Sequence, residues 1–151
     1  MKKYLKLIAL FLWMSVIFYF SAEPQLESEA ASNLATDILY HIYHFVFSAG
    51  MDSDVFFARY GQFIRKLAHF TEFAILGILA KSVYEDRWNK NTILYPVLFC
   101  ALYAVSDEVH QYFVPGRYCA LKDMCIDTAG ALTGVLFYHL CENRWKRKKG
   151  S

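Results

Sequence analysis

The sequence predicts an all-α protein: a four-span transmembrane helical bundle, N- and C-termini cytoplasmic, with an amphipathic interfacial helix between spans one and two. Three observations lead there. Four apolar runs of helical length divide the 151 residues. Hydrophobic residues make up 56% and aromatics 18% of the chain, and the mean hydropathy is +0.22, all above ordinary soluble composition. Lys and Arg gather at alternate ends of the apolar runs. The length suits a single domain over 1–151. A formal charge of +2 is too small to suggest nucleic acid, and no basic stripe is interleaved with stacking aromatics. There is no CxxC and no Cys/His cluster at zinc spacing. Cys100 and Cys141 read as small hydrophobes, and Cys119 and Cys125 as two lone thiols.

Span one covers approximately 4–20. Tyr4 to Phe20 is apolar apart from Lys6 and follows Met1-Lys2-Lys3. A signal peptide has a similar start, but SAEPQLESE after Phe20 is a poor cleavage site. With Lys6 near enough to the end to snorkel, the run approaches the roughly 20 residues a span needs. Glu23-Pro24 breaks the helix. The region to Lys66 is acidic, with Glu27, Glu29, Asp37, Asp52 and Asp54. Within it, Leu34, Ile38, Leu39, Ile42, Phe45 and Val46 recur at spacings of three and four. They predict an external amphipathic helix over approximately 30–49, lying at the membrane surface or packed on the other helices. Tyr40, His41, Tyr43 and His44 border its apolar face. Gly50 ends it, and Asp52 or Ser53 caps a new helix near Asp54.

Span two covers approximately 67–84 and is followed by a polar loop over 85–91. Span three covers approximately 92–110, and Pro115-Gly116 is the turn that closes it. Span four covers approximately 122–141, and a basic tail from Arg144 to Lys149 follows. With four spans, Lys2, Lys3, Lys6, Lys81, Arg87, Lys90, Arg144, Lys146, Arg147, Lys148 and Lys149 share one side. Arg59, Arg65, Lys66, Arg117 and Lys122 are left for the other. The richer side is cytoplasmic by the positive-inside rule. The expected location is therefore multi-pass in the cell membrane, the bacterial plasma membrane.

That orientation gathers polar groups from three segments near the outer face of the bilayer. His69 and Glu72 start span two; Asp107, Glu108, His110 and Gln111 end span three. Arg117 is in the external turn, and Asp123 and Asp127 open span four. Lys66, His69 and Glu72 share a face at i, i+3, i+6. Asp123, Asp127, Gly130 and Gly134 form one stripe at steps of four, three and four. Gly130 and Gly134 are a GxxxG, which lets helix backbones approach in lipid. The carboxylates above that contact face the bundle interior and need partners, with Arg117, Lys66, His69 and His110 available. Each signal has a plainer reading. His69–Glu72 is on its own a surface pair, Asp123 matches the helix dipole, and GxxxG speaks for packing alone. Taken together, ionisable groups at membrane depth point to a functional pocket.

Three blocks carry a resemblance: RKLAHFTEFAILG (Arg65–Gly77), SDEVHQYFVPGR (Ser106–Arg117) and KDMCIDTAGALTG (Lys122–Gly134). With FSAEP (Phe20–Pro24), they resemble the VanZ-like membrane protein family. The family pattern maps onto Lys66, His69 and Glu72, then Asp107, Glu108 and Gln111, then Pro115, Gly116 and Arg117, then Asp123, Asp127 and Gly130. Phe73 stands where the family often has Tyr, and Arg117-Tyr118-Cys119-Ala120 is bulkier than the family's usual segment. The resemblance implies an association with resistance to the lipoglycopeptide teicoplanin, without a defined reaction.

Three functions follow as expectations. The pocket acts on an anionic lipid or cell-envelope precursor, with Arg117 clamping a phosphate and His69, Glu72, Asp107, Glu108, Gln111 and Asp127 as catalytic candidates. Lys66, His110 and Asp123 then join Arg117 as ligand contacts. Alternatively, it binds membrane lipids, a lipid-linked anion or a lipoglycopeptide without converting it. The third reading is a structural network pinning the helices together. Asp107, Asp123 and Asp127 offer hard oxygen ligands for a divalent cation, although their spacing matches no known metal loop.

Overall fold

A computed structural model describes residues 2–47, 51–88 and 92–149. It is all helical among the described residues: α1 (Lys2–Ala22), α2 (Gln25–Phe47), α3 (Ser53–Trp88), α4 (Leu94–Tyr112) and α5 (Leu121–Lys149). The break at Glu23-Pro24 is present. However, α2 starts at Gln25, earlier than the expected 30, because Pro24 sits just before its first turn, where a locked φ favours helix. The amide of Ser28 bonds the Pro24 carbonyl at 3.1 Å. Gly50, expected to end this helix, lies outside the described residues.

Three boundaries differ from expectation for one reason. α3 is a single helix of 36 residues, about 54 Å long. It absorbs the helix expected near Asp54, all of span two and the first half of the predicted 85–91 loop. No proline interrupts it, and Asp54 N bonds the Asp52 side chain at 3.2 Å at its start. At its far end the supposed loop residues are fastened by ion pairs. Lys81 Nζ lies 2.8 Å from Glu85, Lys146 Nζ 2.7 Å from the other Glu85 oxygen, and Lys6 Nζ 2.8 Å from Asp86. Lys146 also reaches Glu142 at 3.0 Å, so α5 stays helical to Lys149, well past Cys141. Its basic last turn complements the helix dipole.

The closest packing is between α3 and α5. A Cβ on Gly130 would strike the Phe70 carbonyl oxygen, one on Gly134 that of Ala74, and one on Gly77 that of Ala131. The GxxxG therefore sets backbone on backbone, and Gly77 supplies the reciprocal notch from α3. α1 and α4 complete the bundle around Leu10, Ile17, Phe73, Leu76, Cys100 and Ala104. Two hydrogen bonds pin α1: Trp13 Nε1 to the Glu72 carbonyl at 2.9 Å, and Tyr103 Oη to the Met14 carbonyl at 2.7 Å.

α2 resolves the two alternatives for its apolar face. Leu34, Ile38, Ile42, Phe45 and Val46 are exposed, while the bordering Tyr40 and Tyr43 pack on Phe56 of α3, edge-on and tilted, with ring centroids 5.4 and 5.5 Å apart. The helix thus packs by its aromatic border and leaves the predicted apolar face outward. Large side chains of α1, α4 and α5 are exposed as well, including Phe11, Leu12, Leu98, Leu102, Phe137 and Leu140. So much contiguous apolar surface suits lipid rather than water. α1 and α5 are each long and apolar enough to cross a membrane.

Candidate functional site

Two adjoining cavities, of about 170 and 120 Å³, lie where α1, α2, α3 and α4 meet the turn before α5. They share Arg65, His69 and Arg117. Glu72 and Asp107 line the first, and Lys66, Gln111 and Asp123 the second. Groups from three separate stretches of sequence therefore line these cavities.

The turn that carries Arg117 is built on the corner after α1. Gly116 has φ +81°, the left-handed region that glycine tolerates, and an added Cβ would crowd the Gln25 side chain at 3.2 Å. The Gln25 amide donates to the Pro115 carbonyl at 3.4 Å. Arg117 Nη2 donates to the Phe20 carbonyl at 3.1 Å, so FSAEP and PGR are two halves of one joint. Arg117 Nε and Nη1 are buried and have no hydrogen-bond partner among the described residues. Burial, and then the charge of Arg65, hold its pKa below the ordinary arginine value.

Several expected members turn out to have other duties. Lys66 Nζ is bonded to Asp123 Oδ1 at 2.7 Å, which leaves Arg65 rather than Lys66 as the unengaged cation of that face. Among the described residues, neither Arg65 nor Arg117 forms an ion pair within 4 Å. Glu108 is buried and accepts the Ala120 amide at 2.8 Å, so it fastens the segment leading into α5 and lines neither cavity. His110 turns toward α1. Its Nδ1 lies 3.5 Å from Ser21 Oγ, and its ring centroid is 4.4 Å from that of Phe18. Asp107 Oδ2 accepts from Gln111 Nε2 at 2.9 Å, while its Oδ1 has no partner among the described residues. Asp127 is fully buried, and neither of its carboxyl oxygens has a hydrogen-bond partner among the described residues. It lines neither cavity, and Gly130 and Gly134 follow it on the same face of α5.

The divalent-cation alternative does not find a site. Among the described residues no three His, Cys, Asp or Glu side chains are grouped to hold a metal; Asp123 is engaged by Lys66 and Asp107 by Gln111. Cys119 and Cys125 are exposed and unbonded.

Arg65 is the functional candidate missed by reading motifs alone. A signal was present, since Arg65 stands four residues before His69 and seven before Glu72, on one helical face. Ser21, another cavity residue, lies within FSAEP, whereas Gln25 and Gln62 carry no such signal; only tertiary structure delivers them.

The geometry places the three motif blocks and FSAEP in one joint and one pocket, and the VanZ/LLP1 family model matches residues 6–142. The chain belongs to the VanZ/LLP1 family. VanZ family proteins are membrane proteins, in keeping with the two bilayer-length helices α1 and α5. The match covers α2, α3 and α4 whole and most of α1 and α5, and it includes every candidate residue named above. No curated protein and no solved structure matches the chain.

Proposed function

We propose that this VanZ-like protein binds the anionic group of a lipid-linked cell-envelope component in a pocket open to the outer leaflet. α3 and α4 cross the membrane beside α1 and α5, which gives four spans with both termini cytoplasmic. The basic ends of α1, α3 and α5 cluster through Lys6–Asp86 and Lys146–Glu85, and the positive-inside rule sets that end in the cytoplasm.

The observation that carries the reading is the pair Arg65 and Arg117. Two guanidinium groups converge on the same cavities with no ion pair among the described residues. Like charges held together in a half-buried site favour an anion between them, and a planar fork suits phosphate. A purely structural network would satisfy its members, whereas Arg117 keeps two nitrogens and Asp127 both oxygens unbonded within the protein. His69 lines both cavities and Glu72 the first, so conversion of the bound ligand is the second reading, with His69 as proton carrier. Teicoplanin resistance would be a downstream phenotype of either.

The test uses the full chain in lipid nanodiscs with a polyprenyl phosphate, following melting temperature and products together. Wild type is expected to be stabilised by the ligand, and Arg65→Ala and Arg117→Ala are expected to lose that stabilisation. Absence of any shift in wild type sinks the proposal. Released phosphate that depends on His69 would establish conversion rather than binding alone.

A further inference from the structure

An open groove of about 390 Å³ runs between α1 and α3, lined by Trp13, Leu67, Thr71 and Ile75. It continues into the first cavity, because Ile64, Ala68 and Glu72 line both. From this junction we propose that the groove is the track for the hydrocarbon chain of the ligand whose charged group sits at Arg65 and Arg117. The inference rests on the binding reading above and adds a second subsite to it.

Away from Glu72, the groove wall suits hydrocarbon. Its two polar side chains outside the junction are already satisfied. Thr71 Oγ1 bonds the Leu67 carbonyl at 2.7 Å, and Trp13 Nε1 bonds the Glu72 carbonyl at 2.9 Å. No free donor is left to demand water, and Trp13, Leu67 and Ile75 present apolar surface. Polarity then changes in one direction, from Ile75 and Trp13 at the apolar end to Arg65 and Arg117 at the charged end. That gradient matches an anionic amphiphile better than a neutral lipid, with free phosphate able to fill only the charged end. The length fits as well: Ile64 to Ile75 covers about 16 Å of helix, close to half of a hydrocarbon core about 30 Å thick. A chain lying there occupies one leaflet. The groove also supplies a sideways route, so the ligand enters from the bilayer with its head drawn along the pocket floor past Glu72.

A dodecyl phosphate with a diazirine on its chain, added to the full protein in nanodiscs, tests this by mapping the labelled residues. Label is expected at Trp13, Leu67, Thr71 and Ile75. It should be displaced by excess dodecyl phosphate but not by dodecanol. Filling the groove with Thr71→Trp or Ile75→Trp should cut groove labelling about tenfold, equivalent to about 1.4 kcal/mol. Stabilisation by inorganic phosphate should be retained in both. Leu102→Trp, on an exposed part of α4, should label as wild type. Label spread evenly over the exposed faces of α4 and α5 would overturn the groove while leaving the headgroup reading standing. Displacement by dodecanol as effective as by dodecyl phosphate would overturn the anionic headgroup, and with it the assignment of this chain.

Discussion

Arg117 donates a hydrogen bond from Nη2 to the main-chain carbonyl of Phe20 at 3.1 Å, across 97 residues of sequence. Phe20 lies in the last turn of α1, and its carbonyl also accepts the Glu23 amide at 3.4 Å, so Arg117 adds a second bond that ties the end of one helix to the turn that follows another. One arm of the guanidinium is thereby fixed, and Nε and Nη1 are buried with no hydrogen-bond partner among the described residues.

Replacing Arg117 by Lys keeps the charge and removes the planar fork, a change that is not conservative at a bidentate site. Hydrogen bonds to charged groups are worth about 1.5–3 kcal/mol, so phosphate-probe affinity should fall about 10- to 100-fold at unchanged protein abundance. Titration of the purified variant checks this; wild-type affinity would remove Arg117 from the site.

The glycines of α3 and α5 give a paired stability prediction. Gly134→Ala drives a Cβ into the Ala74 carbonyl, and backbone cannot step aside as a side chain can. The helices must separate, at a cost of about 1–3 kcal/mol or more. Gly61→Ala meets nothing within 4 Å and should be neutral or stabilising by up to about 1 kcal/mol. Melting temperatures of the two variants beside wild type decide it.

Asp127 separates a structural role from a functional one. Its carboxyl is fully buried and has no hydrogen-bond partner among the described residues, so the fold gains nothing from its charge. Asp127→Asn should melt at or above the wild-type temperature while altering the response to ligand. A large drop in melting temperature would mark the carboxyl as a structural anchor.

At the opposite end of the bundle, Glu85 makes a pH prediction. Burial alone would raise its pKa, but hydrogen bonds with Glu142, Lys146 and Lys81 outweigh that and hold it at about 2, below the ordinary 4.5. A depressed carboxylate pKa contributes stability that is complete above the unfolded value and lost as pH falls through the folded one. Glu85→Gln should therefore destabilise by about 3 kcal/mol at neutral pH, since it breaks a buried pair. The gap to wild type should narrow from about pH 4.5 down to about pH 2. Melting curves of both proteins across that range measure it, and a constant gap would contradict the assignment.

The helical fold is readable from the residues, and so is the set of polar groups that share one end of the bundle. Apolar runs and their breakers located α1, α4 and α5, because a break such as Glu23-Pro24 or Pro115-Gly116 acts locally. The stripe Asp123, Asp127, Gly130 and Gly134 was readable for the same reason, since helical periodicity makes a face out of spacing. The loop expected at 85–91 begins later than its polar residues suggest, because Glu85 and Asp86 are not left to solvent. They are instead neutralised by Lys6, Lys81 and Lys146, two of them on other helices.

What the residues determined alone was therefore local: helix identity, the glycine face, and the set of groups sharing one end of the bundle. Only the tertiary structure decided which of those groups remain free. Lys66 and Asp123 cancel each other, Glu108 is spent on a backbone amide, and His110 faces Phe18. Arg65 and Arg117 are left facing the same cavities. Partner choice depends on distances of a few ångströms between residues far apart in sequence, and no periodicity encodes those distances.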